Sequence, residues 1–327
     1  RLGPLANDRS PRVRMELALT AGTIQQPAAI LLLASIARNS PGDGAVLYAV
    51  LTAAADRAED LFAELIADRR LGASPDGWEF IGELAQMTGA ENRDGMDHVL
   101  RGIQQSGLSL LDSFILARRV GEGLAAGGLT FAKAAPGGTW QTVATDALNQ
   151  ALGNGSTELR AEAIRYLGVS GYNGQEAGDW LLSFLVSGEP QEVQSAAIQS
   201  LARFPDPAIT VAFVQRWPSL SSTSQHEIIA RMLSRFDRTI ALLTAIETGR
   251  IPAGALTDVQ TSFLRSHRDP NFAARAVRIY GPATQAGRAE HFAMALKLRG
   301  SAMRGQNLFT ARCADCHQLN GIGNAFG

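Results

Sequence analysis

From the first residues to about position 300, apolar residues recur at three- and four-residue intervals. Polar residues fill the gaps, and runs that alternate residue by residue are scarce. That period belongs to the α-helix, where i, i+3, i+4 and i+7 share a face; strands would need a period of two. The pattern also repeats. Ala161-Glu162-Ala163-Ile164-Arg165-Tyr166-Leu167 is followed by Ser195-Ala196-Ala197-Ile198-Gln199-Ser200-Leu201 and by His226-Glu227-Ile228-Ile229-Ala230-Arg231-Met232. A further copy runs from Phe272 to Ile279. Turn or cap chemistry precedes each: Gly155-Ser156-Thr157, Gly188-Glu189-Pro190, Ser221 to Ser224, and Asp269-Pro270. Ser224 with Glu227 reads as a capping box, and Gly249 as a helix stop. Partner helices are predicted at Trp180 to Val186, Ala208 to Trp217, Thr239 to Glu247 and Leu256 to Ser266.

A helix pair recurring every 30-odd residues is the mark of an α-solenoid, because one pair cannot bury its apolar face alone. The opening stretch Asp8-Arg9-Ser10-Pro11-Arg12-Val13-Arg14-Met15-Glu16-Leu17-Ala18 resembles the second helix of a HEAT repeat, which often begins Asp-x-x-Pro-x-Val-Arg. Segments 158–168 and 192–202 resemble it more loosely. The predicted class is therefore all-α, with a HEAT-like helical repeat domain over residues 1–300. The Gly/Ala-rich stretch near 121–140 interrupts the pattern and reads as a long connection or a distorted repeat. Gly121-Glu122-Gly123 is not a phosphate loop, since no Gly-Lys-Ser/Thr follows and no strand precedes it. Trp180 and Trp217 sit among aliphatic residues and are expected in the core. Arg9, Arg12 and Arg14 are expected on a solvated face or in a repeat ladder.

Composition adds little. The 327 residues are 46% hydrophobic and 19% charged, with a formal net charge of −1. No global basic field would draw nucleic acid. No apolar run approaches the ~20 residues of a membrane-spanning helix. The chain opens at Arg1, already in the middle of a repeat, and is expected to be a piece of a longer polypeptide.

The cysteines change the picture. There are two, Cys313 and Cys316, three residues apart, and His317 follows directly. Chance would give that arrangement about once in ten thousand such chains. Two thiols at this spacing can each add to a vinyl group of a porphyrin, and the adjacent imidazole can ligate its iron. Three other readings stay open. A redox dithiol needs a strand before the motif, where an amphipathic helix is predicted. Zinc needs two further ligands, and His98, His226, His267 and His291 are scattered. A disulfide would close a very small loop.

The flanks carry a second resemblance. Ser301 to Arg312 reads as a helix in which Gly305, Phe309 and Cys313 share a face. With Cys313-Ala314-Asp315-Cys316-His317 this closely resembles the first helix and attachment loop of class I c-type cytochromes, and Gly321 to Gly327 is similar to the family's loop after the haem histidine. The resemblance implies covalent haem c on Cys313 and Cys316, with His317 as an axial iron ligand. It implies a truncated cytochrome domain at 301–327, because the family's distal ligand, commonly Met, and its closing helix come later. Met294 and Met303 precede the motif and do not match that position. The order of parts also resembles large bacterial secreted proteins that join a dehydrogenase domain to HEAT-like repeats and a C-terminal cytochrome c.

The expectation is a haem-binding electron-transfer module on a helical scaffold, part of a larger redox protein. It would face a redox partner protein or domain in the periplasm, envelope or extracellular space. One alternative is a structural scaffold whose solenoid surface binds a protein partner. Another is a fragment of a dehydrogenase whose catalytic domain lies upstream; residues 1–300 show no catalytic constellation.

Overall fold

The computed structural model describes residues 2–91, 96–171, 174–282, 300–314 and 317–322. Among these the chain is all-helical, without strands. The first helices are α1 (Pro11–Gly22), α2 (Ala28–Arg38), α3 (Gly44–Ala53), α4 (Ala58–Leu65), α5 (Arg69–Gly72), α6 (Pro75–Glu91) and α7 (Met96–Gln105). Next come α8 (Leu110–Ala126), α9 (Phe131–Ala134), α10 (Thr139–Leu152), α11 (Thr157–Ser170), α12 (Gly174–Ser183) and α13 (Gln191–Arg203). The last are α14 (Pro207–Arg216), α15 (Ser222–Leu233), α16 (Phe236–Glu247), α17 (Asp258–Arg265), α18 (Pro270–Tyr280) and α19 (Ala302–Arg312).

Two compact units divide between Leu256 and Thr257. In the first, helices α1, α3, α6, α8, α11, α13 and α15 pack each on the next and form one continuous layer. Further helices cover this layer: α2 packs on α4, α4 on α7, α7 on α10 and α14 on α16, while α12 packs against α13 of the first layer. The apolar period explains the arrangement. Ile164, Leu167, Ile198, Leu201, Ile228 and Met232 are all buried between the layers. The repeated segments beginning at Ala161, Ser195 and His226 lie on α11, α13 and α15, in the same layer as the opening stretch on α1. The copy at Phe272 to Ile279 is α18, in the second unit, where it packs on α17. His267 stands between these two helices, its ring 6.4 Å from that of Phe263 and 4.8 Å from that of Phe272.

Polar side chains link helices that are distant in the sequence. Arg14 donates to Ser40 Oγ at 2.8 Å, Arg38 to Asp68 at 2.9 Å and Arg160 to Glu189 at 2.9 Å. Gln191 donates to Ser224 Oγ at 2.9 Å. These partners are 26, 30, 29 and 33 residues apart, close to the 30-odd-residue period of the sequence pattern. The arginines of the opening stretch divide: Arg14 joins this ladder, while Arg9 and Arg12 are exposed.

Helix starts follow their caps. Asp43, Asp68, Ser109, Ser156, Asp206, Thr257, Asp269 and Ser301 each accept a first-turn amide. The expected capping box at Ser224 and Glu227 does not form, because α15 begins earlier and Ser221 accepts the Ser224 amide. Ser224 is buried instead and donates to Gln194 on α13. The capping box that does form pairs Thr257 with Gln260. Gly249 stops α16 in the left-handed region, at φ 71°.

Two further expectations fail. The connection expected from Gly121 starts later, because α8 continues to Ala126. Its glycines are packing positions: a Cβ at Gly123 would overlap the carbonyl oxygen of Gln86, and one at Gly89 that of Val120. Helices α6 and α8 therefore cross with their backbones in contact. Only Gly127 to Thr130 and Ala135 to Gly138 are turns, on either side of the short α9. Trp217 is buried, but Trp180 is 42% exposed; Leu181, Phe184 and Leu185 fill the core at its helix instead.

Candidate functional site

The sequence motif lies at the end of α19. Ser301 opens that helix by accepting the Arg304 amide. It closes where the amides of Cys313 and Ala314 both donate to the Phe309 carbonyl, at 2.8 and 2.9 Å. Cys313 leaves helical geometry at φ −128° and carries a free, exposed thiol. The chain then turns once: the His317 amide donates to the Cys313 carbonyl at 2.8 Å. The motif's first thiol and its imidazole are thus held one turn apart in the backbone, and His317 is exposed like Cys313. Cys316 lies outside the described residues, as do Asp315, the tail from Gly323, His291 and Met294.

A two-residue turn follows. Leu319 and Ile322 exchange both amide hydrogen bonds, at 2.9 and 3.0 Å, around Asn320 and Gly321 at φ 52° and 79°. Asn-Gly suits this turn because both central residues must take positive φ. That signal was legible in the sequence and went unused there.

Among the described residues the surroundings are open. No residue of α19 is buried, and the apolar side chains of Met303, Leu308 and nearby Leu319 are more than half exposed. A Cβ at Gly305 would meet nothing within 4 Å. The helix therefore presents apolar side chains beside two exposed donor groups of the motif. The chemistry of these donors fits haem c: an accessible thiol can form a thioether, and an accessible imidazole can enter an iron's axial position.

The remaining histidines are dispersed. His98 pairs with Glu59, His226 is exposed, and the ring nitrogen of His267 accepts the Asp269 amide. Among the described residues no group of three His, Cys, Asp or Glu is placed to hold a metal ion.

A polar constellation lies elsewhere, on α8, α11 and α13, around a cavity of about 210 Å³. Glu162 accepts from Arg118 at 2.8 Å and from Arg165 at 2.6 Å; Glu122 accepts from Arg118 and Arg203 at 3.0 Å. Burial acts to lower the Arg118 pKa, but Glu162 and Glu122 outweigh it and hold the guanidinium above its ordinary range. Each carboxylate thus sits between two guanidinium groups, with no thiol or imidazole beside it. The chain Arg165–Glu162–Arg118–Glu122–Arg203 stitches three helices together; sequence reasoning missed it because bonded partners lie as far as 81 residues apart.

Comparison with protein-family models, with curated proteins and with solved structures finds no match for this chain. Likewise, among the described residues no helix is long and apolar enough to cross a membrane.

Proposed function

We propose that this chain is a c-type haem-binding electron-transfer module in which HEAT-like helix pairs form a solenoid that carries the attachment segment. One observation carries the reading: Cys313, Cys316 and His317 stand in the order and spacing of a haem-attachment motif, with Cys313 and His317 exposed and tied by one backbone turn. Cys313 and Cys316 would hold the porphyrin edge through thioether bonds, and His317 would supply an axial imidazole. A bound haem supplies a one-electron couple at its iron. The chain's own contribution is positional: the bond from the His317 amide to the Cys313 carbonyl fixes the spacing of thiol and imidazole. The apolar side chains of α19 favour a large apolar group next to them.

Two features support the scaffold part of the reading. The layered packing of α1 to α16 has the connectivity of stacked helix pairs, and its cross-links recur at about one repeat. In the same reading the module belongs to a larger secreted redox protein, in the periplasm, envelope or extracellular space, where it meets a redox partner protein or domain. A scaffold without redox function is the second reading, favoured by the first unit's closed salt-bridge chain, which leaves its polar groups paired.

The test is production of the full chain, exported alongside c-type maturation machinery. Intact mass should rise by one haem. Cys313→Ser combined with Cys316→Ser should abolish that gain while leaving the helical signal unchanged. A wild-type chain of bare polypeptide mass, or a double variant that keeps the haem covalently, contradicts the proposal.

A further inference from the structure

Three asparagines are followed directly by glycine: Asn154, Asn173 and Asn320. Asn173 lies outside the described residues. An asparagine in this setting can lose its side-chain amide without any catalyst. The backbone nitrogen of the following residue attacks the side-chain carbonyl carbon Cγ. The new N–Cγ bond forms, the Cγ–Nδ2 bond breaks, and ammonia leaves with the proton of the attacking nitrogen. Water then opens the cyclic imide at either carbonyl, leaving aspartate or isoaspartate. A following glycine favours the attack because it has no Cβ to obstruct ring closure.

The two described sites differ in how firmly their backbones are held. Asn154 and Gly155 are exposed in the connection between α10 and α11, and neither amide donates a hydrogen bond among the described residues. Asn320 is held differently. It has a positive φ, and the bonds between Leu319 and Ile322 close its turn from both sides. Ring closure rotates the asparagine backbone so that the next nitrogen swings onto the side chain. At Asn320 that rotation opens both hydrogen bonds of the turn, whereas at Asn154 it opens none.

We propose that Asn154 is a site of spontaneous deamidation in the folded protein, and that the Leu319–Ile322 turn protects Asn320 from the same reaction. The product adds one negative charge to a chain of formal net charge −1. The new charge falls two residues ahead of Ser156, the N-cap of α11, where the exposed amide ends of the helix favour an anion. The fold should therefore tolerate it.

The experiment incubates the folded full chain and a urea-unfolded sample at mildly alkaline pH. Digestion and mass spectrometry then follow each Asn-Gly peptide, and isoaspartyl methyltransferase labelling identifies the isoaspartate. In the folded chain Asn154 should convert within about threefold of its unfolded rate, as a locally open segment does. Asn320 should be slowed about tenfold or more, because two hydrogen bonds must open first. Asn154→Gln should remove the label from its peptide with circular dichroism unchanged. Equal protection of both sites, conversion of Asn320 at its unfolded rate, or a label that persists in N154Q would overturn the proposal.

Discussion

Arg238 is 1% exposed, and among the described residues no carboxylate forms a salt bridge with it. It donates to the carbonyls of Ala202, at 2.9 Å, and Phe204, at the C-terminal end of α13. Burial, and then neighbouring Arg235, push its pKa below the ordinary arginine range. The helix end compensates, since its unpaired carbonyls carry partial negative charge. Arg238→Met should cost about 2–4 kcal/mol in urea denaturation, because it leaves two part-buried carbonyls at a helix end without their donor. A loss under about 0.5 kcal/mol would show that the carbonyls find other partners. Nothing in the local sequence marks this arginine; its partners are 36 and 34 residues away. Glu91 is a second such case. Its carboxylate accepts the Ala58 amide at the start of α4, and its pKa is raised from 4.5 to about 7. Burial is the main cause; the Ala58 bond opposes it, while Asp56 and Glu59 add to it. The folded chain thus holds this proton more tightly than the unfolded chain. The resulting stabilisation is complete below pH 4.5 and is lost as pH rises to about 7. Solvent screening keeps it small, because the residue as a whole is exposed. Wild type should therefore lose more of its urea midpoint than Glu91→Gln between about pH 5 and about pH 8. Identical losses would remove Glu91 from the pH response.

At the scale of elements, apolar period and cap chemistry located most helices. The partner helices expected at Ala208, Thr239 and Leu256 correspond to α14, α16 and α17 within three residues, whereas the one expected from Trp180 to Val186 overlaps only the end of α12, which runs from Gly174 to Ser183. The sequence misled where one residue type serves two purposes. Glycines at 121 and 123 read as a linker, yet they lie inside α8: only a hydrogen atom fits at Gly123, where α8 crosses α6, and at Gly121, which faces the side chains of Val169 and Phe131. Ser224 reads as a cap, yet it links α15 to Gln191 and Gln194 on α13. The glycines permit a paired test. Gly123→Ala should destabilise by about 2–4 kcal/mol, since neither backbone can yield. Gly102→Ala, in an open and exposed stretch of α7, should stabilise by about 0.5–1 kcal/mol. Thermal denaturation of both variants checks the pair, and a tolerated Gly123→Ala would mean that α6 and α8 do not cross this closely.

At the scale of the molecule, the all-helical class was legible from the 3.6-residue period. The division between Leu256 and Thr257 was not, because the break between Glu247 and Asp258 reads like any other connection between two helices. Neither were the long-range ion pairs, which depend on how turns orient successive helices. The attachment motif was legible because its chemistry is local: two thiols, one imidazole and fixed spacing. The structure adds that Cys313 and His317 are exposed at the end of a helix whose apolar side chains are also exposed. The central claim is that this segment carries covalent haem. The most direct measurement is an alkaline pyridine haemochrome spectrum of the exported chain after full denaturation and acidic acetone extraction. The account predicts a c-type spectrum that stays with the polypeptide. A colourless polypeptide, or haem that leaves entirely with the solvent, would contradict it.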